Sequence, residues 1–335
     1  MQSLQSLECL ERKVTFSNIL DVTLRDGGYL NQWQFSIEES KRVLNFLRDQ
    51  GLRKVEVGFL RTPERSTSPV NGCPKEFLAE IQQLYPEMSL VCMLNPAEDN
   101  WQAAVADKLD QISLLRMPCT ADLVEKALEI ANHLKKQSSS IQISLNIICA
   151  SSYSLEEIEY LLRAIAPSKN VDLVYLADSR GALYPHEVKD MMALARKICP
   201  QSLGFHAHDT LGYAIENSNQ AFSQGCDWID VTLNSFGLAG GNTPLGGYLA
   251  HHDLHTSGQS IQAEITDFCQ KYLPLRHPDA LTRQRYQWLA AKNIDPVWCE
   301  QLLEKYPDTL KEKVDKLPRQ HYKEIDSVLE LMKRC

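Results

Sequence analysis

Over the first 250 positions, apolar residues fall into short bursts. Between the bursts they recur at three- and four-residue intervals. A change of period of this kind predicts strands alternating with amphipathic helices. The bursts predict eight strands, over residues 18–23, 53–59, 89–94, 111–115, 141–147, 171–177, 202–207 and 228–233. Helical patterns occupy 38–50, 75–84, 121–136, 186–197 and 211–224. Val43, Leu44, Phe46 and Leu47 lie on one side of the first, and Gly51 follows as its C-terminal cap. Ser154-Leu155-Glu156-Glu157 is a capping box opening another helix, which Pro167 stops. Repetition of strand, helix and strand implies right-handed crossovers and a parallel sheet, and eight strands close such a sheet. The expected fold is an α/β (β/α)8 TIM barrel with a C-terminal helical extension. An open doubly wound sheet uses the same alternation, but Arg25-Asp26-Gly27-Gly28 does not supply its G-x-G-x-x-G phosphate turn.

After about residue 259, Pro274, Pro278, Pro296 and Pro307 punctuate helical stretches, the last over 319–334, with no further strand. The chain therefore divides into a catalytic barrel over 15–258 and an extension over 259–335. Composition changes this picture little: 44% of residues are hydrophobic and 23% charged, as for a chain with a large core. A net charge of −8 without a basic run argues against nucleic acid as a partner. The absence of a long apolar run argues against a membrane span. No signal peptide is expected, and the ten cysteines are scattered without a C-x-x-C pair, which points to a reducing, cytoplasmic setting.

Barrel active sites lie at the C-terminal ends of the strands. The predicted strands end on Arg25 and Asp26, Glu56 and Arg61, Asn95, Arg116, Asn146 and Ser151, Asp178 and Ser179, His206 and His208, and Asn234 with Asn242. Packing alone does not account for this polar clustering. Residues i and i+2 of a strand point the same way, so His206 and His208 can reach one ion. With Asp26 they form a nitrogen/oxygen set suited to a divalent transition metal. The plain alternative is three separate residues, each fixing a loop. Arg25 is open to two readings, an ion pair with Asp26 or Glu56, or stabilisation of an oxyanion. Glu56 could serve as a base, as a partner orienting a histidine or Arg25, or as a solvated strand end, the second being preferred. Asn242 lies in a glycine-rich loop able to approach a ligand. His251 and His255 have helical ligand spacing but lie past the last strand, away from the strand ends. Arg61, Arg65 and Arg180 near the mouth hint at an acidic substrate.

Thr23-Leu24-Arg25-Asp26-Gly27, His206-Ala207-His208 and Ala239-Gly240-Gly241-Asn242-Thr243-Pro244 resemble the motifs of the divalent-metal pyruvate aldolases and lyases (DRE-TIM metallolyases). That family includes 4-hydroxy-2-oxovalerate aldolase, hydroxymethylglutaryl-CoA lyase and the isopropylmalate, homocitrate and citramalate synthases. Residues 115–120 and 177–182 are most similar to the first of these. The resemblance covers residues 18–249. It implies that Asp26, His206 and His208 bind Mn²⁺, or Mg²⁺, Co²⁺ or Zn²⁺, with Asn242 nearby. It further implies that Arg25 stabilises an enolate oxygen and that Ser179 holds the substrate carboxylate, beside Arg116. The aldolase pattern has a catalytic histidine where this chain has Tyr29, and the condensing synthases have a glutamate where it has Gly28. A metal-bound hydroxide, Glu56 or Tyr286 of the extension is then expected to act as base. The implied substrates are a small 2-oxo acid and an aldehyde. The aldolases' acylating aldehyde dehydrogenase partner is not assumed, because residues 260–335 share little with their counterpart. The sequence is compatible with a homo-oligomer. The expected activity is that of a metal-dependent aldolase. Its rivals are a Claisen-type synthase joining an acyl-CoA to a 2-oxo acid, and a barrel that binds a metal and a small acid without turnover. A non-haem iron oxygenase ranks last, since nothing supplies a site for an oxidising cosubstrate.

Overall fold

The computed structural model describes residues 12–254 and 260–334. Eight parallel strands close into a barrel in sequence order: β1 (Ile19–Asp21), β2 (Lys54–Phe59), β3 (Ser89–Met93), β4 (Leu114–Cys119), β5 (Gln142–Ile147), β6 (Leu173–Asp178), β7 (Ser202–Ala207) and β8 (Trp228–Val231). Register closes the ring, with Leu20 opposite Asp230 and Ala177 opposite His206. Two of the barrel helices start where polar caps satisfy free backbone donors. Ser36 with Glu39 opens Ile37–Asp49, and Ser154 with Glu157 opens Leu155–Ile165.

Two strands depart from the sequence expectation. β1 stops at Asp21, whose carboxylate accepts from Thr23 N at 2.9 Å and Thr23 Oγ1 at 2.9 Å. The backbone then turns into a short helix, Thr23–Asp26, so Arg25 and Asp26 ride on a helical turn rather than a strand end. β4 begins later than its apolar run suggests, because Leu109–Gln111 forms a 3-10 turn first. Arg116 therefore lies inside the barrel and not at its rim. A short helix at Trp101–Val105 completes the crossover from β3 to β4, and another at Leu245–His251 follows β8, where the sequence pattern showed none.

The barrel's lower interior is apolar, filled by Leu20, Val22, Val91, Leu114, Leu173 and Tyr175. A much larger core lies between the strands and the surrounding helices and takes in Ile261, Ile265 and Cys269 of helix Ile261–Tyr272. Farther along, Leu289, Ile294, Leu302, Leu310, Val314 and Tyr322 form a separate cluster. This C-terminal lobe is latched to the barrel by Arg180, whose guanidinium donates to Asn293 O at 2.9 Å and Tyr322 O at 2.7 Å. Arg319 pairs with Glu187 at 2.7 Å from the other side. Among the described residues, no helix is long and apolar enough to cross a membrane.

Candidate active site

Above the apolar layer the barrel interior turns polar, and every charge there is paired. Arg116 is fully buried. It donates to Glu56 at 3.2 Å and to Asp230 at 2.7 Å, with its guanidinium 4.2 Å from the centre of the Tyr175 ring. Turned so that its oxygen faces the guanidinium, Asn146 accepts from Arg116 Nη2 at 2.8 Å and Nε at 3.0 Å. Glu56 also accepts from Arg25 Nε at 2.7 Å, while Arg25 Nη1 contacts Asp26. The remaining nitrogen, Nη2, makes no hydrogen bond among the described residues.

This network sets the proton positions on the two histidines. His206 Nδ1 lies 2.9 Å from Asp230, and His208 Nδ1 lies 3.0 Å from Leu238 O. Each acceptor requires the imidazole proton on Nδ1. Both Nε2 atoms are then bare lone pairs, and they face each other at 3.1 Å. Asp26 Oδ2 lies 3.8 Å from each of them. Three proton-free donors thus converge within 4.8 Å of one another, a set that repels itself unless a cation sits between. The formal charges agree: Asp26, Glu56 and Asp230 outnumber Arg25 and Arg116 by one negative charge. The residues fit a divalent cation.

Burial lowers His208 to about 4, which keeps the imidazole neutral as a ligand must be. Burial alone would raise Asp26. The adjacent Arg25 guanidinium, followed by the two imidazoles and Asn242, outweighs it and holds the carboxyl down to about 2. Asn242 donates to Asp26 and, at 3.1 Å, to Phe236 O, while its own Oδ1 has no donor among the described residues. Gly237 allows this approach, since a Cβ there would lie 2.9 Å from Asp26 Oδ2.

These groups open into a cavity of about 390 Å³. Arg25, Asp26, Tyr29, Arg116, Ser179, His206 and His208 all line it. Glu56 does not; it sits beneath, orienting Arg25 and Arg116. Tyr286 is not brought to the cavity either, because it packs against the C-terminal cluster. Neither position suits a residue that meets substrate as base. Of the three mouth arginines only Arg61 lines the cavity, while Arg65 pairs with Glu98 at 3.3 Å and Arg180 latches the lobe. His252 bonds Asn219 at 2.9 Å, and His255 lies outside the described residues. Desolvation in the cavity, with Asp26 nearby, pushes the Tyr29 phenol above its ordinary value against the pull of Arg25 and Arg61. Its proton therefore stays on at neutral pH.

Three site residues escaped the sequence reading. Asp230 is the carboxylate behind His206, and a lone acid in the apolar run Trp228-Ile229-Asp230-Val231 was its only signal. Asp295, from the C-terminal lobe, lines the cavity and accepts from Val297 N at 3.1 Å and Arg180 Nε at 3.4 Å. Trp33 lines it too, held with Gln32 in left-handed backbone, φ 58° and 55°, at a cost of about 1–3 kcal/mol each. No sequence signal marks either.

Fold and site together define a closed (β/α)8 barrel with a three-residue set, able to hold a divalent cation, at the C-terminal ends of its strands. The chain belongs to the HMGL-like family, whose model matches residues 17–271, and with it to a superfamily of metal-dependent lyases and aldolases. Over 244 residues, 68% of this chain and 66% of the relative, it is 25% identical to the 4-hydroxy-2-oxovalerate aldolase of Thermus thermophilus. Over 230 residues, 67% of this chain and 66% of the other, it is 26% identical to the oxaloacetate decarboxylase of Mycobacterium tuberculosis. The chain thus spans 66% of the length of these curated relatives. The N-terminal domain of a candidate aldolase from Bacteroides vulgatus shares the fold, with a TM-score of 0.72 at 23% identity over 88% of this chain and 99% of that one.

Proposed function

We propose that this chain is a metal-dependent carbon–carbon lyase of the aldolase type, which cleaves or forms a 4-hydroxy-2-oxo acid through a pyruvate-type enolate. The observation that carries this reading is the convergence of three proton-free donors beside a cavity-facing arginine. Asp26, His206 and His208 would hold a divalent ion, with Mn²⁺ expected, which would supply Lewis-acid polarisation of the 2-oxo group. With a divalent ion the inner cluster would carry one net positive charge, which complements the single carboxylate of a 2-oxo acid.

The other roles fall to the chain's own groups. Arg25, fixed through Nε and Nη1, offers Nη2 to the oxygen on which enolate charge develops. Ser179 Oγ, which accepts from Cys149 N at 3.0 Å, can donate its own proton to the substrate carboxylate. Tyr29 holds its proton and so acts as the donor to the aldehyde-derived oxygen. Asp295 is the one lining carboxylate besides Asp26, and it accepts the proton that the pyruvate methyl group gives up.

The test is loss of the pyruvate methyl proton signal in D₂O with Mn²⁺, with metal stripped before each spectrum. Exchange that disappears with chelator and in Arg25→Ala supports enolate chemistry, while no exchange despite bound metal sinks it. The likeness to an oxaloacetate decarboxylase favours a second reading, in which the enolate arises by loss of CO₂. Release of CO₂ from oxaloacetate faster than aldol turnover would favour that one.

A further inference from the structure

The cavity wall between β1 and β2 is aromatic and purpose-built. Trp33 N donates to Gly28 O at 2.8 Å, its indole Nε1 donates to Arg25 O at 2.6 Å, and Ser68 Oγ donates to its carbonyl. Gly28 is needed for this arrangement, because a Cβ there would lie only 2.1 Å from Trp33 Cδ1. The turn that carries the metal ligand Asp26 is therefore shaped around Trp33. The Tyr29 ring packs edge-on against Trp33 with centroids 4.7 Å apart, and Trp33 meets Phe59 edge-on at 5.4 Å. Arg61 covers both, its guanidinium 4.8 Å from the Phe59 centroid and 5.6 Å from that of Trp33. A core cluster would be sealed. Here Tyr29 is 42% exposed, and all four side chains face the cavity.

The cavity is also larger than a short substrate requires. A five-carbon 4-hydroxy-2-oxo acid has nine non-hydrogen atoms, each taking less room than the about 30 Å³ of a water. Such a molecule leaves roughly a third of the 390 Å³ unfilled. Met93, Leu123, Ile148 and Val297 add apolar surface to the same space. Asn95, Asn146 and Ser179 also line the cavity, but the aromatic wall itself offers a polyhydroxylated chain only the Tyr29 hydroxyl and Arg61, whereas a flat apolar ring gains edge-to-face contacts with Trp33 and Phe59.

We propose that the aldehyde half of the substrate is aromatic and that the Tyr29–Trp33–Phe59–Arg61 wall receives its ring. The inference rests on the enolate reading above. In the forming direction, pyruvate gives up one methyl proton and its C3 attacks the aldehyde carbon. The carbonyl pair moves to oxygen, which takes up one proton. The product is a 4-aryl-4-hydroxy-2-oxobutanoate, with nothing oxidised or reduced.

The experiment uses the full chain loaded with Mn²⁺, measuring pyruvate methyl exchange first and then aldol addition to benzaldehyde, acetaldehyde and glyceraldehyde. The expected result is a kcat/KM for benzaldehyde at least about 10-fold above the other two, the lower end of what a hydrophobic pocket delivers. Phe59→Leu and Trp33→Ala should each shrink that ratio, mainly through KM for benzaldehyde. Benzaldehyde should also quench tryptophan fluorescence in the wild type and not in Trp33→Phe. Exchange accompanied by a preference for acetaldehyde or glyceraldehyde overturns the aromatic assignment alone. Absence of exchange overturns the enolate reading, and the assignment falls with it.

Discussion

The two walls of the cavity are built on opposite principles. On the β7, β8 and β1 side, Asp26, His206, His208 and Asn242 are buried, and each is fixed by a protein hydrogen bond or ion pair. On the β1–β2 side, Tyr29 is exposed and Trp33 and Arg61 are only partly buried; hydrogen bonds anchor Trp33 to the Arg25 backbone and Arg61 to Asn71, and left-handed backbone, a glycine and ring packing shape the rest. A buried ligand set needs redundancy, because an unpaired charge in a dry interior is costly. An acceptor pocket needs only shape. The first wall therefore suits chemistry held in common across the family, and the second suits the choice of substrate.

The largest expected break of this contrast is Asp26→Asn, which removes the anionic ligand and the charge that balances Arg25. Pyruvate exchange should fall by about 10³-fold or more, and Mn²⁺ titration calorimetry should lose its binding signal. Arg116→Met strikes the same wall from below by leaving Glu56 and Asp230 without their shared cation. Urea unfolding should report a loss of about 3–5 kcal/mol. A comparable truncation on the other wall, Tyr29→Phe, should cost less than about 1.5 kcal/mol of stability. Equal losses would erase the distinction drawn here.

A pH series sharpens it further. Burial raises Asp21, at the foot of the metal wall, to about 7. Below about 4 the carboxyl is protonated in both folded and unfolded chains. Between about 4 and 7 the folded state binds the extra proton, so stability falls as pH rises and levels off above 7. Asp21→Asn should remove that slope and recover on the order of 2–4 kcal/mol at pH 8 relative to the wild type, read from metal-free thermal melts. Asp295→Asn should lower pyruvate exchange by about 10²-fold while leaving Mn²⁺ affinity intact, if the lobe supplies the proton acceptor. Asp230→Asn disturbs the orientation of His206 and should weaken Mn²⁺ binding by about 10- to 100-fold.

Local pattern was enough for much of this protein. Short apolar bursts marked all eight strands, and three- and four-residue periodicity with a capping box marked most of the longer helices, since burial of one face is dictated by neighbours in sequence. Strand spacing placed His206 near the end of β7 and His208 just beyond it with their Nε2 atoms facing, and with Asp26 they marked the candidate metal site. Strand ends were less legible. Asp21 stops β1 by bonding Thr23, and the turn at Leu109–Gln111 delays β4, so Arg116 moved from the rim to the interior.

What only the tertiary structure decided involves residues far apart in the chain. Asp230 becomes His206's partner only when β8 closes against β7, and Asp295 reaches the cavity only because Arg180 latches the lobe down. The proton positions that leave two bare nitrogens facing Asp26 depend on Asp230 and Leu238 O, neither adjacent in sequence to the histidines. The sequence by itself determined which residues could bind a metal, because that depends on residue type and strand spacing. Whether those groups converge, what charge surrounds them and which walls face them are long-range properties, set by barrel closure and by a loop strained around one tryptophan.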